Sequence, residues 1–197
     1  LFESSEIKEK TVATIIKAFH NRFFHEKEHG ERVGGICYKF SKLLGYTEIY
    51  SQEIKTAGIM HDIGKINIAV RILAKRETLN DNDWKEIKKH PETGYRILSS
   101  VGHMAQLAEY ILAHHERWDG KGYPKGLKGE EIPLQSRIIA IAEAYEIMRS
   151  KRTYKASLSE EQAFKELDAN SGTQFDPFLV RMFIQNSKQI IDEKEFQ

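Results

Sequence analysis

Apolar residues recur every three or four positions along most of the chain. Ile7, Val12, Ile15, Ile16, Phe19 and Phe23 mark one amphipathic helix. Val33, Ile36, Cys37, Phe40, Leu43 and Leu44 continue the period from His29 onward, and Gly45 is a helix stop. The segment from Ile54 to Ile63 predicts a third helix that ends at Gly64. Asn80 with Asp83 predicts a capped start for a helix through Trp84 and Ile87. Pro91 interrupts it at or just after His90, which predicts a kink or a new helix there. The stretch from His103 to His115 is helical again and runs into a loop holding Gly120, Gly122, Pro124, Gly126 and Gly129. Pro133 opens a helix through Ile138, Ile141 and Met148. Ser159 with Gln162 forms a capping box, and Asp176-Pro177 is a cap followed by proline at the first helical position. No strand alternation, internal repeat or low-complexity tract breaks the series. An all-α fold follows.

Composition narrows this picture. A chain of 197 residues is long enough for one domain with a sizeable core, or a small domain plus a helical extension. With 40% hydrophobic and 30% charged residues it has the make-up of a soluble globular protein. A formal net charge of +1 argues against bulk attraction to nucleic acid or anionic lipid, although a small phosphate ligand needs only a local basic patch. No apolar run approaches the roughly 20 residues of a membrane span, and no signal peptide is visible. The single cysteine, Cys37, falls in a helical core pattern and permits no internal disulfide, which suits a reducing cytoplasm.

Candidate chemistry comes from His29, the doublet His61-Asp62, His90 and the doublet His114-His115. Neutral imidazole and carboxylate suit iron, manganese or zinc. A binuclear centre needs about this many donors, with one carboxylate to bridge the two ions. An isolated histidine is ordinarily a core or surface residue. Two doublets, each in a predicted helix, fit that reading poorly, and the set points to a metal-dependent hydrolase. Lys65, four residues after His61, is placed to stabilise transition-state charge; as a helix-terminal cation it would instead answer the macrodipole. His20 and His103 match no motif and read as structural.

The wording around these residues is more specific. His61-Asp62-Ile63-Gly64-Lys65 is an HD signature, and the segment from His114 to Pro124 resembles HHERxDGxGYP. His90-Pro91-Glu92-Thr93-Gly94 resembles an HPxxG step, and Glu28-His29-Gly30-Glu31-Arg32-Val33 a first-helix histidine motif. In this order, from about residue 25 to 180, the set resembles the HD-GYP family of metal-dependent phosphohydrolases. The resemblance implies an HD-domain helical bundle with additional C-terminal helices over residues 25–197. Residues 1–24 then form either a helix packed on it or a signalling linker, with a homodimer contact as one role. It implies metal ligation by His29, His61, Asp62 and Glu143 at one ion and by His90, His114 and His115 at a second, with Asp62 reaching both. Where the family motif has aspartate, this chain has glutamate at both Glu143 and Glu146. His25, one turn before His29, either ligates a third metal or sits at the cavity rim.

For activity, the resemblance implies hydrolysis of cyclic di-GMP to linear pGpG, and onward to GMP, by a metal-bridging hydroxide. Lys65 and Asp62 would be the catalytic residues. Gly122 and Tyr123 would line the substrate cleft, and Arg152 and Lys155, in a segment resembling SxRxYR/K, would bind phosphate or guanine edges. The cofactors would be two or three divalent transition metals, Fe or Mn ahead of Zn. The chain starts at Leu1 rather than Met, so a covalently attached sensory or cyclase domain is expected in the full-length protein. Two other readings stay open: a silent cyclic-dinucleotide receptor, and a hydrolase of another cyclic dinucleotide or phosphate ester.

Overall fold

In a computed structural model, residues 10, 14–19, 21, 23–75, 77–150 and 157–191 are described. Helices α1 (Phe24–Leu43) and α2 (Glu48–Met60) form an antiparallel pair, followed by a 3₁₀ turn at Ile63–Asn67 and a single turn, α3 (Val70–Leu73). Then come α4 (Asp81–Ile87), α5 (His90–Ser99), α6 (Ala105–Leu112), α7 (Leu134–Arg149), α8 (Glu160–Ala169), α9 (Pro177–Gln185) and α10 (Ser187–Ile190). No strand occurs among the described residues, only an isolated bridge between Ser171 and Phe175. The all-α expectation holds.

Local chemistry sets the helix ends. Gly45 adopts φ +87 past the end of α1. Its N–H bonds to Lys42 O and that of Tyr46 to Ser41 O, the paired bonds of a Schellman stop. Asn80 caps α4 as expected and Asp83 completes a capping box with it, Ser159 and Gln162 form the expected capping box, and the Asp176 carboxylate caps α9. Pro91 lies in the first turn of α5, so the chain breaks before His90 rather than kinking.

The core is continuous. Phe40 of α1, Tyr145 of α7 and Phe183 of α9 meet ring to ring, with centroids 5.3 Å and 5.4 Å apart on either side of Phe183. Truncating Phe40 or Phe183 to alanine would cost about 3–5 kcal/mol. Cys37 is buried here, as its helical position predicts. Phe19, within the helical residues 14–19, is also buried in this core.

The α1–α2 pair packs unusually close, because glycine lines the contact. A Cβ on Gly30 would sit 2.5 Å from Ile59 O, and one on Gly34 2.8 Å from Lys55 O. That approach brings His29 against the end of α2.

One expectation fails. Neither doublet lies inside a helix: α2 ends at Met60 with His61 as its C-cap, and α6 ends at Leu112, before His114. Asp62 has φ −95 and ψ 7, outside α geometry, so a 100° fan of helical side chains does not describe the HD pair.

Candidate metal centre

The histidines sit where helices end, and this decides how their rings point. The last four carbonyls of an α-helix have no partner within it. His61 Nδ1 bonds Gly58 O at 2.7 Å, His90 Nδ1 bonds Ile87 O at 2.7 Å, and His114 Nδ1 bonds Ile111 O at 2.5 Å. Each acceptor is a terminal carbonyl of α2, α4 or α6. A carbonyl can only accept, so each Nδ1 carries a proton and Nε2 is the nitrogen left to ligate. The negative ends of three helix dipoles therefore converge on one place, which favours a cation.

Two donor sets lie there. His29, His61, Asp62 and Glu143 form one buried group, and His90, His114 and His115 form another; within each, the ligand atoms lie within 4.8 Å of one another. Asp62 stands between them. Its Oδ2 is 3.2 Å from His61 Nε2 and 4.0 Å from His29 Nε2, and its Oδ1 is 3.3 Å from His90 Nε2. Glu143 Oε1 is 3.8 Å from His61 Nε2.

Motif glycines make this approach possible. A Cβ at Gly64 would overlap the carbonyl oxygen of His90 and come within 2.7 Å of Gly94 N. The turn after Asp62 thus lies directly on the first turn of α5.

His61 Nε2 and both oxygens of Asp62 are buried without a hydrogen-bond partner, apart from a 2.6 Å ion pair between Asp62 Oδ2 and Lys65 Nζ. Leaving such atoms unpaired costs about 1–3 kcal/mol each. Nitrogen and carboxylate donors are what a divalent transition metal takes, so these residues fit one in each set. Burial pushes His90 down to about 3 and lowers His114 and His115, which keeps all three neutral and ready to ligate. At His61 burial opposes charge, yet Asp62 and Glu143 raise it to about 9. At Asp62 burial also opposes charge, but Lys65 and His61 hold the carboxyl well below the usual range.

The loop after His115 folds back over the second set. Tyr123 stacks on His115 with centroids 4.9 Å apart and planes at 29°, and its N–H bonds His115 O. Gly122 lies against the backbone of His115, Glu116 and Arg117, where a Cβ would come 2.5 Å from Glu116 Cα. The Tyr123-Pro124 peptide is cis.

A model of the HD-domain family matches residues 13–179. The chain belongs to that family. Within it, the ordered histidine motifs and the Gly-Tyr-Pro loop are those of HD-GYP domains. The HD domain is 43% identical over 166 residues to a cyclic di-GMP phosphodiesterase of Thermotoga maritima, covering 83% of this chain and 45% of that protein. To 3′3′-cGAMP-specific phosphodiesterase 2 of Vibrio cholerae it is 36% identical over 188 residues, covering 94% and 36%. The chain therefore spans less than half of each of these relatives. Its fold is similar to that of an HDG"Y"P protein from Bdellovibrio bacteriovorus, with a TM-score of 0.68 and 21% identity, over 83% of this chain and 52% of that one.

The HD domain thus brings together all seven residues expected as ligands, with Lys65 beside Asp62 and Tyr123 beside His115. Arg152 and Lys155 lie outside the described residues. His25 is exposed and belongs to neither donor set, and His103 is exposed on the 3₁₀ turn before α6.

Three supporting carboxylates had no role assigned from the sequence. Glu146 Oε2 accepts from His29 Nδ1 at 2.5 Å and its Oε1 from Arg32 Nε at 2.7 Å, which fixes the His29 ring. It lies one turn beyond Glu143 on α7, and that spacing was its signal. Glu116, directly after the second doublet, is buried and accepts from the backbone N–H of Lys125, Gly126 and Leu127. Glu26 lies 3.3 Å from Lys65 Nζ with both carboxylate oxygens. Nothing in the pattern of the chain announced that contact.

Proposed function

We propose that this HD-GYP chain is a metal-dependent phosphodiesterase that opens cyclic di-GMP to linear pGpG and cuts that product onward to GMP. The observation that carries the reading is Asp62, a buried carboxylate with one oxygen facing each of two donor sets. The names of the relatives in Thermotoga maritima and Vibrio cholerae support the substrate class.

In this reading His29, His61, Asp62 and Glu143 hold one ion, and His90, His114, His115 and Asp62 a second; Fe or Mn is preferred, with Zn compatible. His25, exposed and outside both sets, gives no support to a third. When bound, such a pair supplies Lewis acidity at the phosphoryl group and a water acidified toward neutral pKa. The chain does the rest. The Lys65 ammonium, held between Asp62 and Glu26, offsets charge building on the phosphoryl or the departing ribose 3′ oxygen. Gly122 allows the loop to lie close, so that the Tyr123 ring walls the cleft. Burial raises the pKa of its hydroxyl, which stays a donor to phosphate or base. Arg152 and Lys155 keep their proposed contacts with phosphate and a guanine edge.

We take residues 25–197 as the hydrolase unit and residues 1–24, whose Phe19 packs into its core, as the segment that leads to a sensory or cyclase domain and can pair two chains. Cys37, buried as a free thiol, fits a cytoplasmic setting, and no described helix is long and apolar enough to cross a membrane.

A second substrate reading, cyclic GMP-AMP, rests on the 36% identity to the cGAMP-specific enzyme over 94% of the chain. A silent receptor would not need Lys65 in contact with Asp62. The test is turnover of cyclic di-GMP and cyclic GMP-AMP by anaerobically purified chain with Mn²⁺ or Fe²⁺ added. Both substrates left intact by metal-loaded protein would overturn the phosphodiesterase reading.

A further inference from the structure

Beside the metal centre lies a second feature that the hydrolytic chemistry does not use. Asp81, Trp84, Lys85 and Lys88 line an open hollow of about 520 Å³. That volume is within the roughly 300–1,000 Å³ usual for small-ligand sites. The four residues fall at i, i+3, i+4 and i+7 along α4 and its C-cap, so one helical face presents them together. Trp84 is 46% exposed, a large apolar ring left in water beside two cations.

The hollow is joined to the centre by a short chain of contacts. Lys88 Nζ lies 5.4 Å from the Tyr123 ring centroid, and Tyr123 stacks on His115 of the second donor set. Two residues after Lys88 comes His90, another member of that set. Lys88, one helical turn from Trp84, thus links the hollow to Tyr123 and the second donor set.

We infer that this hollow is an outer nucleobase subsite, built to take the distal guanine of a cyclic dinucleotide. The inference rests on the proposed phosphodiesterase reading. Trp84 supplies an indole face for stacking, which any base can use. Lys88 supplies a cation at the phosphate level, beside the Tyr123 ring, and Lys85 a second at the rim. Asp81 supplies the selectivity. A carboxylate is acceptor-only, and guanine alone among the common bases presents two adjacent N–H donors, N1–H and the N2 amino group, on its Watson–Crick edge. Adenine offers an acceptor at N1, which a carboxylate repels.

Two measurements on the whole chain test this, one of them independent of turnover. Binding of cyclic di-GMP is read by quenching of tryptophan emission, and steady-state rates are measured for cyclic di-GMP and cyclic di-AMP on metal-loaded protein. Trp84→Ala should abolish most of the quenching and raise KM for cyclic di-GMP about tenfold, with kcat within about threefold. Asp81→Asn should shift the kcat/KM preference from guanine toward adenine, because an amide pairs with the adenine donor–acceptor edge. Quenching and KM unchanged in Trp84→Ala would overturn the subsite even if the chain turns over cyclic di-GMP normally. Trp84-dependent quenching in a chain that hydrolyses no cyclic dinucleotide would uphold the subsite and sink the phosphodiesterase reading instead. Base preference unchanged in Asp81→Asn would remove Asp81 from the assignment.

Discussion

Oδ1 of Asp62 lies 3.3 Å from Nε2 of His90, so an aspartate just past the end of α2 meets a histidine in the first turn of α5. Its other oxygen, Oδ2, lies 3.2 Å from Nε2 of His61, so this one carboxylate faces both donor sets. The two sites should therefore load unequally when either partner is removed. Metal-reconstituted parent protein should carry about two ions per chain. Asp62→Ala should lose both, and His90→Ala should lose one. Elemental analysis decides this, and two ions retained by Asp62→Ala would show that the aspartate does not join the sites.

Lys65 touches Asp62 but belongs to neither donor set. Its removal should therefore spare the metals and depress the rate, by about 10²–10³ in kcat, as for other groups that act on transition-state charge. KM should move little. Elemental analysis beside steady-state kinetics separates the two roles: a metal-depleted Lys65→Ala protein would make Lys65 a structural partner of Asp62.

Glu146 gives a pH signature. Burial opposes its ionisation, but His29, Ser150 and Arg32 hold its pKa down at about 2 against an ordinary 4.5. A carboxyl with a depressed folded-state pKa contributes stability above its unfolded value, and that stability is lost as pH falls through the folded one. The contribution is therefore complete above about pH 4.5 and fades toward pH 2. Glu146→Gln should be much less stable than the parent at pH 7 and only slightly less stable near pH 2.5. Thermal melts in chelator at the two pH values measure the gap. A gap of equal size at both would exclude ionised Glu146 as its source.

Much of the architecture was legible because it is written locally. The capped start at Asn80 and Asp83, the stop at Gly45 and the break before Pro91 each depend on a few adjacent residues. The ligand residues were legible as well, because their motifs stand in fixed order. What the pattern hid was non-local. His61 and His114 look like helix-interior residues by periodicity, yet each lies past a helix end, where its imidazole takes over an unpaired carbonyl. The closeness of α1 and α2 depends on Gly30 and Gly34 meeting Lys55 and Ile59, and no spacing within one helix reveals its partner. Glu26 reaches Lys65 across 39 positions for the same reason.

Glu116 is a test of how the Gly-Tyr-Pro loop is held. Its carboxylate accepts three backbone N–H groups, from Lys125, Gly126 and Leu127, while buried. Replacing one oxygen by an amide turns an acceptor into a donor facing N–H groups, at a cost of about 1–3 kcal/mol. The loop, and Tyr123 with it, should then loosen from His115. Glu116→Gln should keep its metals, melt at lower temperature and show a KM raised about tenfold. Parent-like KM together with a lowered melting temperature would mean that the loop position does not govern substrate binding.

Glu143 is where this chain departs from its family motif, and the structure keeps it at the centre: nearly buried, with Oε1 3.8 Å from His61 Nε2. The extra methylene leaves the carboxylate within reach of the first donor set, so charge and ligand type are preserved. Shortening it should be tolerated if the ion can shift or the α7 side chain can change rotamer. Glu143→Asp should hold its activity within about tenfold, roughly 1.4 kcal/mol of barrier. Glu143→Gln keeps the length and removes the charge, leaving the first set with Asp62 as its one anionic donor. Metal affinity should then fall by about 10–100-fold, the range seen when a group supporting a metal site is lost. Competition with a chromogenic chelator measures the affinity, and identical titrations for Glu143→Gln and the parent would show that this glutamate does not ligate.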